Sequence, residues 1–276
     1  MKKLLEKTQN LVELLGHDEL PLGVFFTDTK PDGYGPKPGE LFCREREKKG
    51  EIDWGKAFGN FTCLIGSIWL ARKKHKAAFI SLEECGCMGG GFYTGMYAPY
   101  LETQVGYVST GIPNTPFEGE HYLPSPESMR RFLDASTPPL ATKKYCVVQS
   151  LDLFIDDVPR VITFFARPEV LSGLAVLLSF ATGDYNAVIS PFGAGCTSIV
   201  AWPLIGEQQG KEQAVLGGFD LSARKFFKTD ELSLSIPLGL YKKMLDAVDE
   251  SALTRDTWRG VLKKVALSQK AWGEKV

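Results

Sequence analysis

The segment KAAFISLEECGCMGGGFYTG, residues 76–95, joins a strand pattern to a loop with two thiols and three consecutive glycines. Its first seven residues are mostly apolar and precede two carboxylates, which predicts a buried strand. The residues after the glycines predict a helix that begins near Phe92. A strand followed by a helix predicts an α/β or α+β fold. Loops that follow the strands of an α/β sheet usually carry the ligand-binding residues, so we expect a site at this loop.

The composition is that of a globular protein, and it excludes several functional classes. The chain has 276 residues, 44% hydrophobic and 24% charged, with 32 basic and 33 acidic residues interspersed along it. No basic stripe is present to neutralise a phosphate backbone, so we expect no nucleic-acid partner. The most apolar stretch, 170–181, is far shorter than the ~20 residues that span a bilayer, so we also expect no membrane partner.

The first 20 residues predict an amphipathic helix. Glu6, Gln9 and Glu13 interrupt the apolar run that an export signal would need. We therefore expect a cytoplasmic protein whose six cysteines are thiols or ligands, because structural disulfides are uncommon in a reducing compartment. The sequence leaves open a small-molecule ligand and a homo-oligomer.

A Pro- and Gly-rich stretch, residues 111–126, is the best candidate boundary along the chain. It predicts an N-terminal half, 1–118, that holds the Cys-rich loop, and a C-terminal half, 119–276. A single intertwined globular domain is the alternative. Within the first half, residues 53–74 predict one helix with Asp53 as its N-cap. In the second half, two strand patterns that flank an acidic turn predict an antiparallel hairpin over 143–166.

Three short patterns occur twice in the same order, which indicates an internal repeat. They are PLGVFF (21–26) and PRVITFF (159–165), CLIGSIW (63–69) and CTSIVAW (196–202), and AAFISL (77–82) and AVLGGF (214–219). The order predicts two similar halves of mixed sheet with covering helices, related by a pseudo-two-fold axis. A chance match among apolar segments is the alternative, since strands and buried helices use few residue types. In the repeat, EECGC (83–87) corresponds to DLSAR (220–224), so one half has thiols at the positions where the other has Asp220 and Arg224.

This arrangement resembles the DUF169 family of bacterial and archaeal proteins. The resemblance rests on PLGVFF, CLIGSIW, ISLEECGCMGGGFYTG, GAGCTSIVAWP and LSLSIP, and it covers roughly residues 18–247. The family has no established activity to transfer to this chain. The resemblance implies a soluble prokaryotic protein, with redox or cofactor metabolism in an anaerobe as its setting.

The cysteines support the leading functional hypothesis, a metal or iron–sulfur centre. Thiolates are the ligands that zinc and iron–sulfur clusters prefer, and such sites take up to four of them. Cys43, Cys63, Cys85 and Cys87 supply that number within one stretch of the chain. The paired CxxC spacing of zinc ribbons and ferredoxins is absent, and Cys63 lies in an apolar stretch where a buried core cysteine is the alternative.

Two other uses of the same loop remain open. The CxC pair predicts a redox-active dithiol, although Glu83 and Glu84 would raise the pKa of the neighbouring thiols. A small-molecule binding module without catalysis is the second use. Its ligand would lie in a cleft between the halves, bordered by two Gly-rich loops. The residues of that cleft would be Gly89, Gly90, Gly91, Tyr93, Gly193, Gly195 and Cys196.

Overall fold

The computed structural model describes residues 1–112, 115, 117–211 and 213–273. Parts of the predicted linker, at 113, 114 and 116, therefore lie outside the described residues, as do the last residues of the predicted C-terminal half. The strands are β1 (Leu22–Thr27), β2 (Gly33–Tyr34), β3 (Ala77–Ser81), β4 (Tyr145–Ser150), β5 (Val161–Ala166), β6 (Val188–Ile189), β7 (Ala214–Gly217) and β8 (Leu232–Pro237). The α-helices are α1 (Lys2–Leu15), α2 (Arg44–Lys48), α3 (Trp54–Gly59), α4 (Leu64–Lys74), α5 (Met88–Tyr93), α6 (Glu102–Val108), α7 (Pro126–Ala135), α8 (Pro168–Thr182), α9 (Trp202–Gln208), α10 (Leu238–Asp246) and α11 (Asp256–Gly273).

The strands form one eight-stranded mixed sheet, in the order β2-β3-β4-β1-β5-β8-β7-β6. The central pair, β1 and β5, is antiparallel, and each edge ends in a short parallel pair, β2 with β3 and β6 with β7. From either edge to the centre the strands follow the same chain order, β2-β3-β4-β1 on one side and β6-β7-β8-β5 on the other. The mixed α/β fold is confirmed. The internal repeat stays a prediction.

The predicted hairpin of β4 and β5 is wrong. β1 lies between these two strands and pairs with both of them, with Val24 opposite Val148 on one side and Val161 on the other. The buried β1 has two neighbours because both of its edges carry backbone donors and acceptors that need partners. β4 also pairs with β3, so a strand from beyond residue 119 lies among the strands that precede it. The division at residue 118 stays a prediction.

Helices cover both faces of the sheet and give it two cores. Side chains alternate between them along each strand, as with Val24 and Phe25 of β1, because successive residues of a strand point to opposite faces. One core packs against α1, α8, α10 and α11. The other packs against α4 to α7 and α9, together with the loops that follow β3 and β7. In the described residues, no helix is long and apolar enough to cross a membrane.

The predicted helix over 53–74 is two helices, α3 and α4. Asp53 is the N-cap of α3, as expected, and its Oδ1 accepts a hydrogen bond from Lys56 N at 3.0 Å. The chain leaves the helix before Thr62, whose backbone N–H donates to Gly86 O at 2.9 Å. A contact with the loop after β3 therefore replaces the helical bond, and Cys63 becomes the N-cap of α4.

Candidate ligand-binding site

A cavity of about 570 Å³ lies on the face of the sheet that carries α4 to α7. Its walls come from α3, α4, α5, α6 and α7 and from the loops after β3, β6 and β7. Most of the lining is apolar and aromatic, and includes Phe42, Trp54, Phe58, Phe61, Trp69, Tyr93, Tyr107, Tyr122, Phe132, Phe192 and Phe226. A volume of this size is typical of pockets that enclose a small organic ligand.

The aromatic walls are held in place by contacts between the rings. Phe58 stacks on Tyr107 with 5.9 Å between ring centroids, and Trp54 packs against Phe58 at the same distance. On another wall, Phe132 meets Phe192 edge to face at 5.0 Å. Offset and edge-to-face pairs are the favoured ring arrangements, so these walls form a fixed surface for a planar ligand.

The glycines after the CxC pair form a helix rather than an open loop. α5 begins at Met88, four residues before the predicted start, because Cys87 Sγ accepts from Gly90 N at 3.4 Å and so acts as the N-cap. A Cβ on Gly91 would lie 2.6 Å from Cys85 Sγ, so close packing requires glycine at this position. Gly89 lines the cavity, whereas Gly90 and Gly91 are buried in the core behind it.

The structure does not bring the four predicted metal ligands to one point. Cys43 is exposed and precedes α2, while Cys85 is buried and donates its thiol proton to Cys87 O at 3.2 Å. Cys63 and Cys87 line the cavity together with Cys196, which the sequence placed in the ligand-binding cleft. Across the described parts of the chain, no three His, Cys, Asp or Glu side chains are arranged to hold a metal ion.

The thiols at the cavity are protonated at neutral pH. Burial raises the pKa of Cys87, and the neighbouring Cys63 raises it further. Burial likewise raises the pKa of Cys63 and Cys196, and it raises the pKa of Cys85 to about 12. Desolvation accounts for these shifts, in place of the expected effect of Glu83 and Glu84, because it disfavours the thiolate.

The second Gly-rich loop forms the opposite border of the cavity. A helix begins at Gly195, passes through a π turn at Thr197–Ala201 and continues into α9. Gly195 N donates to Asp220 Oδ2 at 3.0 Å, and a Cβ on Gly195 would lie 2.7 Å from Ile65 of α4. Gly195 and Cys196 line the cavity, whereas Gly193 lies against Thr197.

Three polar groups lie close together at the cavity wall: Gln104 and Tyr93 line the cavity, and Thr197 lies behind the lining, next to Cys196. Gln104 of α6 is 2% exposed and Thr197 is fully buried. Within the described residues, the Gln104 amide nitrogen, the Gln104 amide oxygen and the Thr197 hydroxyl have no hydrogen-bond partner. Burial raises the pKa of Tyr93. Thr197 and Gln104 lie near its hydroxyl and lower this pKa by a smaller amount. No hydrogen bond of normal length and angle joins the three groups.

A pair of carboxylates lies at another part of the lining. Asp220 accepts from Gly195 N, from Ser222 N at 3.0 Å and from Ser222 Oγ at 2.8 Å. Burial raises the pKa of Glu120 from 4.5 to about 7, and the charge of Asp220 adds to the shift. Glu120 therefore changes its protonation state near neutral pH.

Sequence reasoning did not identify Gln104, Glu120 or most of the aromatic walls. It named Asp220, but not as a residue of the cavity. Trp54, Phe58 and Phe61 recur at helical spacing, a signal that was present but that a buried helix face explains equally well. Gln104 carries no such signal, because an isolated glutamine in a sequence does not reveal whether its amide will be buried. His121, beside Glu120, is exposed and does not line the cavity.

Comparison with known proteins gives one match. The model of the DUF169 family, described as "Uncharacterised ArCR", matches residues 10–247. This range includes every strand of the sheet and every residue that lines the cavity. No curated protein and no solved structure matches the chain.

Proposed function

The chain belongs to the DUF169 family, and we propose that it is a small-molecule binding protein whose ligand occupies the cavity between the two Gly-rich loops. One observation carries the proposal: a cavity of about 570 Å³ combines rigid aromatic walls with a buried amide, Gln104, that lacks partners among the described residues. Pockets for organic ligands have this composition, a mostly apolar lining with a few converging polar groups.

A neutral fluorescent probe tests the proposal. Nile red is strongly emissive only in apolar surroundings, and Trp54 and Trp69 in the cavity lining should transfer excitation energy to it. We expect saturable binding of one probe per chain. Ala194→Trp, which fills the cavity from its border, should abolish this binding, whereas Ala252→Trp at an exposed site on the other face should not. Binding without saturation, or binding that Ala194→Trp leaves unchanged, would contradict the proposal.

A second candidate function is the metal or iron–sulfur centre. Cys63, Cys87 and Cys196 line the same cavity, and Cys87 and Cys63 both add to the raised pKa of Cys196. As described, the three thiols are not arranged to hold a metal ion, so metal binding would require their side chains to turn towards one point. These thiols differ from the predicted set, in which Cys43 and Cys85 accompanied Cys63 and Cys87. A soft metal would deprotonate them on binding.

Metal analysis and a visible absorption spectrum after anaerobic purification test this second candidate. A metal-bound centre predicts a bound metal that is lost in Cys87→Ser and retained in Cys43→Ser, because Cys43 lies outside the cavity. Purified protein without metal, and unable to take up zinc or reconstituted iron and sulfide, would contradict it.

The proposed setting is the reducing cytoplasm of a prokaryote, in redox or cofactor metabolism. All six cysteines are free thiols, which fits a reducing compartment. Fractionation of cells that produce the protein tests the location, since an exported protein would be found outside the cytoplasmic fraction.

A further inference from the structure

The amide of Gln104 is the most unusual polar group in the cavity. An amide presents one donor and one acceptor side by side in a plane. Both atoms of Gln104 lack a partner in the described structure, and the side chain is 2% exposed. An unpaired buried polar group destabilises the fold, so a site that keeps such an amide has a use for it.

An aromatic surface lies beside this amide. Gln104, Tyr107 and Val108 are one turn apart on α6 and all line the cavity, so they form one face of that helix. Tyr107 stacks on Phe58 with an angle of 26° between the ring planes. A flat ligand placed against this wall would have its edge near the amide.

Two hydroxyl groups lie beside the Gln104 amide, that of Tyr93 in the cavity lining and that of Thr197 behind it. Thr197 lies on the π turn and has no partner among the described residues, and Tyr93 lies near both Thr197 and Gln104. Each hydroxyl both donates and accepts hydrogen bonds. π turns within helices are frequent at functional sites. α5 and α6 therefore each present a hydrogen-bonding group to the cavity close to one another, Tyr93 and Gln104, and the Thr197 hydroxyl of the π turn lies behind them.

From this arrangement we propose, on the basis of the proposed binding function, that the ligand is a planar heterocycle with an N–H donor next to a carbonyl acceptor on one edge. A lactam edge of this kind pairs with a primary amide through two parallel hydrogen bonds. The pairing works with either orientation of the Gln104 amide. The aromatic walls bind the faces of the ring, and the Tyr93 hydroxyl binds a further polar atom on the same side.

This recognition predicts strong discrimination against ligands that lack the donor. A site built to hydrogen-bond a group rejects an analogue without it, because the site's own polar atoms are then left unpaired. A purely apolar ring would bind through its area alone. Methylation of the ring nitrogen would remove the donor and place a methyl group against the Gln104 oxygen.

The test compares 2-quinolinone, a planar bicyclic lactam, with its N-methyl derivative, each measured by displacement of Nile red from the purified chain. We expect the wild type to bind 2-quinolinone at least about tenfold more tightly. Gln104→Leu removes the amide at similar volume, and the ratio of the two affinities should fall to about one. Gln9→Leu, an exposed position on α1 across the sheet, should keep the wild-type ratio.

The outcomes separate this inference from the proposed function. If wild type binds Nile red but binds both quinolinones equally, the heterocycle inference fails and the binding function stands. A tenfold preference that persists in Gln104→Leu would also overturn the inference. If Nile red does not bind at all, the proposed function itself fails. Thermal unfolding of Gln104→Leu checks its fold, and we expect no loss of stability because an unpaired polar group is removed.

Discussion

A hydrogen bond between Gly195 and Asp220 joins the second Gly-rich loop to the loop after β7: the Gly195 backbone N–H donates to Asp220 Oδ2 at 3.0 Å. The same carboxylate accepts two further hydrogen bonds from Ser222. Asp220 thus fixes the start of the helix that carries Cys196 and, through the loop after β7, ties this helix to the sheet.

Asp220→Asn should destabilise the chain. The amide keeps one acceptor oxygen but loses the other, so either the Gly195 N–H or the Ser222 groups lose their partner. We expect a loss of about 1–2 kcal/mol in the free energy of unfolding, the usual effect of losing a helix cap. Urea denaturation measures it, with the exposed Asp230→Asn as the matched control. Equal stability of the two variants would show that the contact is dispensable.

The free energy of unfolding should fall as the pH rises from about 4.5 to about 7, because of the carboxyl group of Glu120. Its pKa is about 7 in the folded chain and 4.5 in the reference state. Below pH 4.5 the carboxyl is protonated in both states. Between the two values only the unfolded chain loses the proton, which favours unfolding, and above pH 7 the effect is constant. Denaturation of wild type and Glu120→Gln between pH 4 and 8 should show a stability difference that changes across this window. A difference independent of pH would contradict the prediction.

Asp220→Asn should also shift the pH range over which Glu120 affects the stability of the chain. The Asp220 charge contributes to the raised pKa of Glu120, second to burial. Its removal should lower that pKa part of the way towards 4.5, and the pH window of the stability difference should narrow from its upper end. Comparison of Asp220→Asn with the Asp220→Asn/Glu120→Gln double variant over the same pH range measures this. An unchanged window would mean that the two carboxyls do not interact.

Gly91 and Gly89 should respond oppositely to alanine. In Gly91→Ala the new Cβ would lie 2.6 Å from Cys85 Sγ and 2.9 Å from the Tyr97 ring, and overpacking of a core costs about 1–3 kcal/mol. In Gly89→Ala the nearest atom is 3.4 Å away, and alanine is the better helix former. We expect urea denaturation to show a destabilised Gly91→Ala and a neutral or stabilised Gly89→Ala. Combining Gly91→Ala with Cys85→Ala should recover part of the loss. Equal effects of the two single variants would contradict the packing account.

The cysteines should react with iodoacetamide in an order set by exposure. Cys43 is exposed and should react first. Cys85 and Cys146 are buried, and burial raises the pKa of each to about 12, so both should stay unmodified until the chain unfolds. Mass spectrometry of peptides from timed samples gives the order. Early modification of Cys85 would contradict the placement of its thiol behind α5.

Much of the local structure could be predicted from the sequence, because it depends on neighbouring residues. The strand Ala77–Ser81 and the N-cap at Asp53 are confirmed. Errors arose where distant residues compete for the backbone. Gly86 takes the Thr62 N–H and ends a helix, and β1 enters between two strands that are consecutive in the chain.

The two predicted Gly-rich loops do border one cavity, but the side chains that line it could be predicted only in part, and its use as a binding site stays a prediction. Cys63, Cys87 and Cys196 reach one cavity from three separate segments, and the two Gly-rich loops border it. The predicted thiolate cluster required side-chain directions that no sequence pattern specifies. Cys85 and Cys87 are two residues apart, yet only Cys87 lines the cavity, while Cys85 packs against Gly91. Whether the Gln104 amide has hydrogen-bond partners depends on its surroundings in three dimensions, which the sequence alone does not give.

The most direct test of the central claim is a crystal structure of the chain soaked with 6-bromo-2-naphthol, a planar probe whose bromine can be located by anomalous scattering. We predict one ordered bromine inside the cavity, between Met88–Tyr93 and the loop at 192–196, with the naphthol ring against the aromatic wall of Phe58 and Tyr107. A cavity without bromine at saturating probe, closed by its own side chains, would contradict the account.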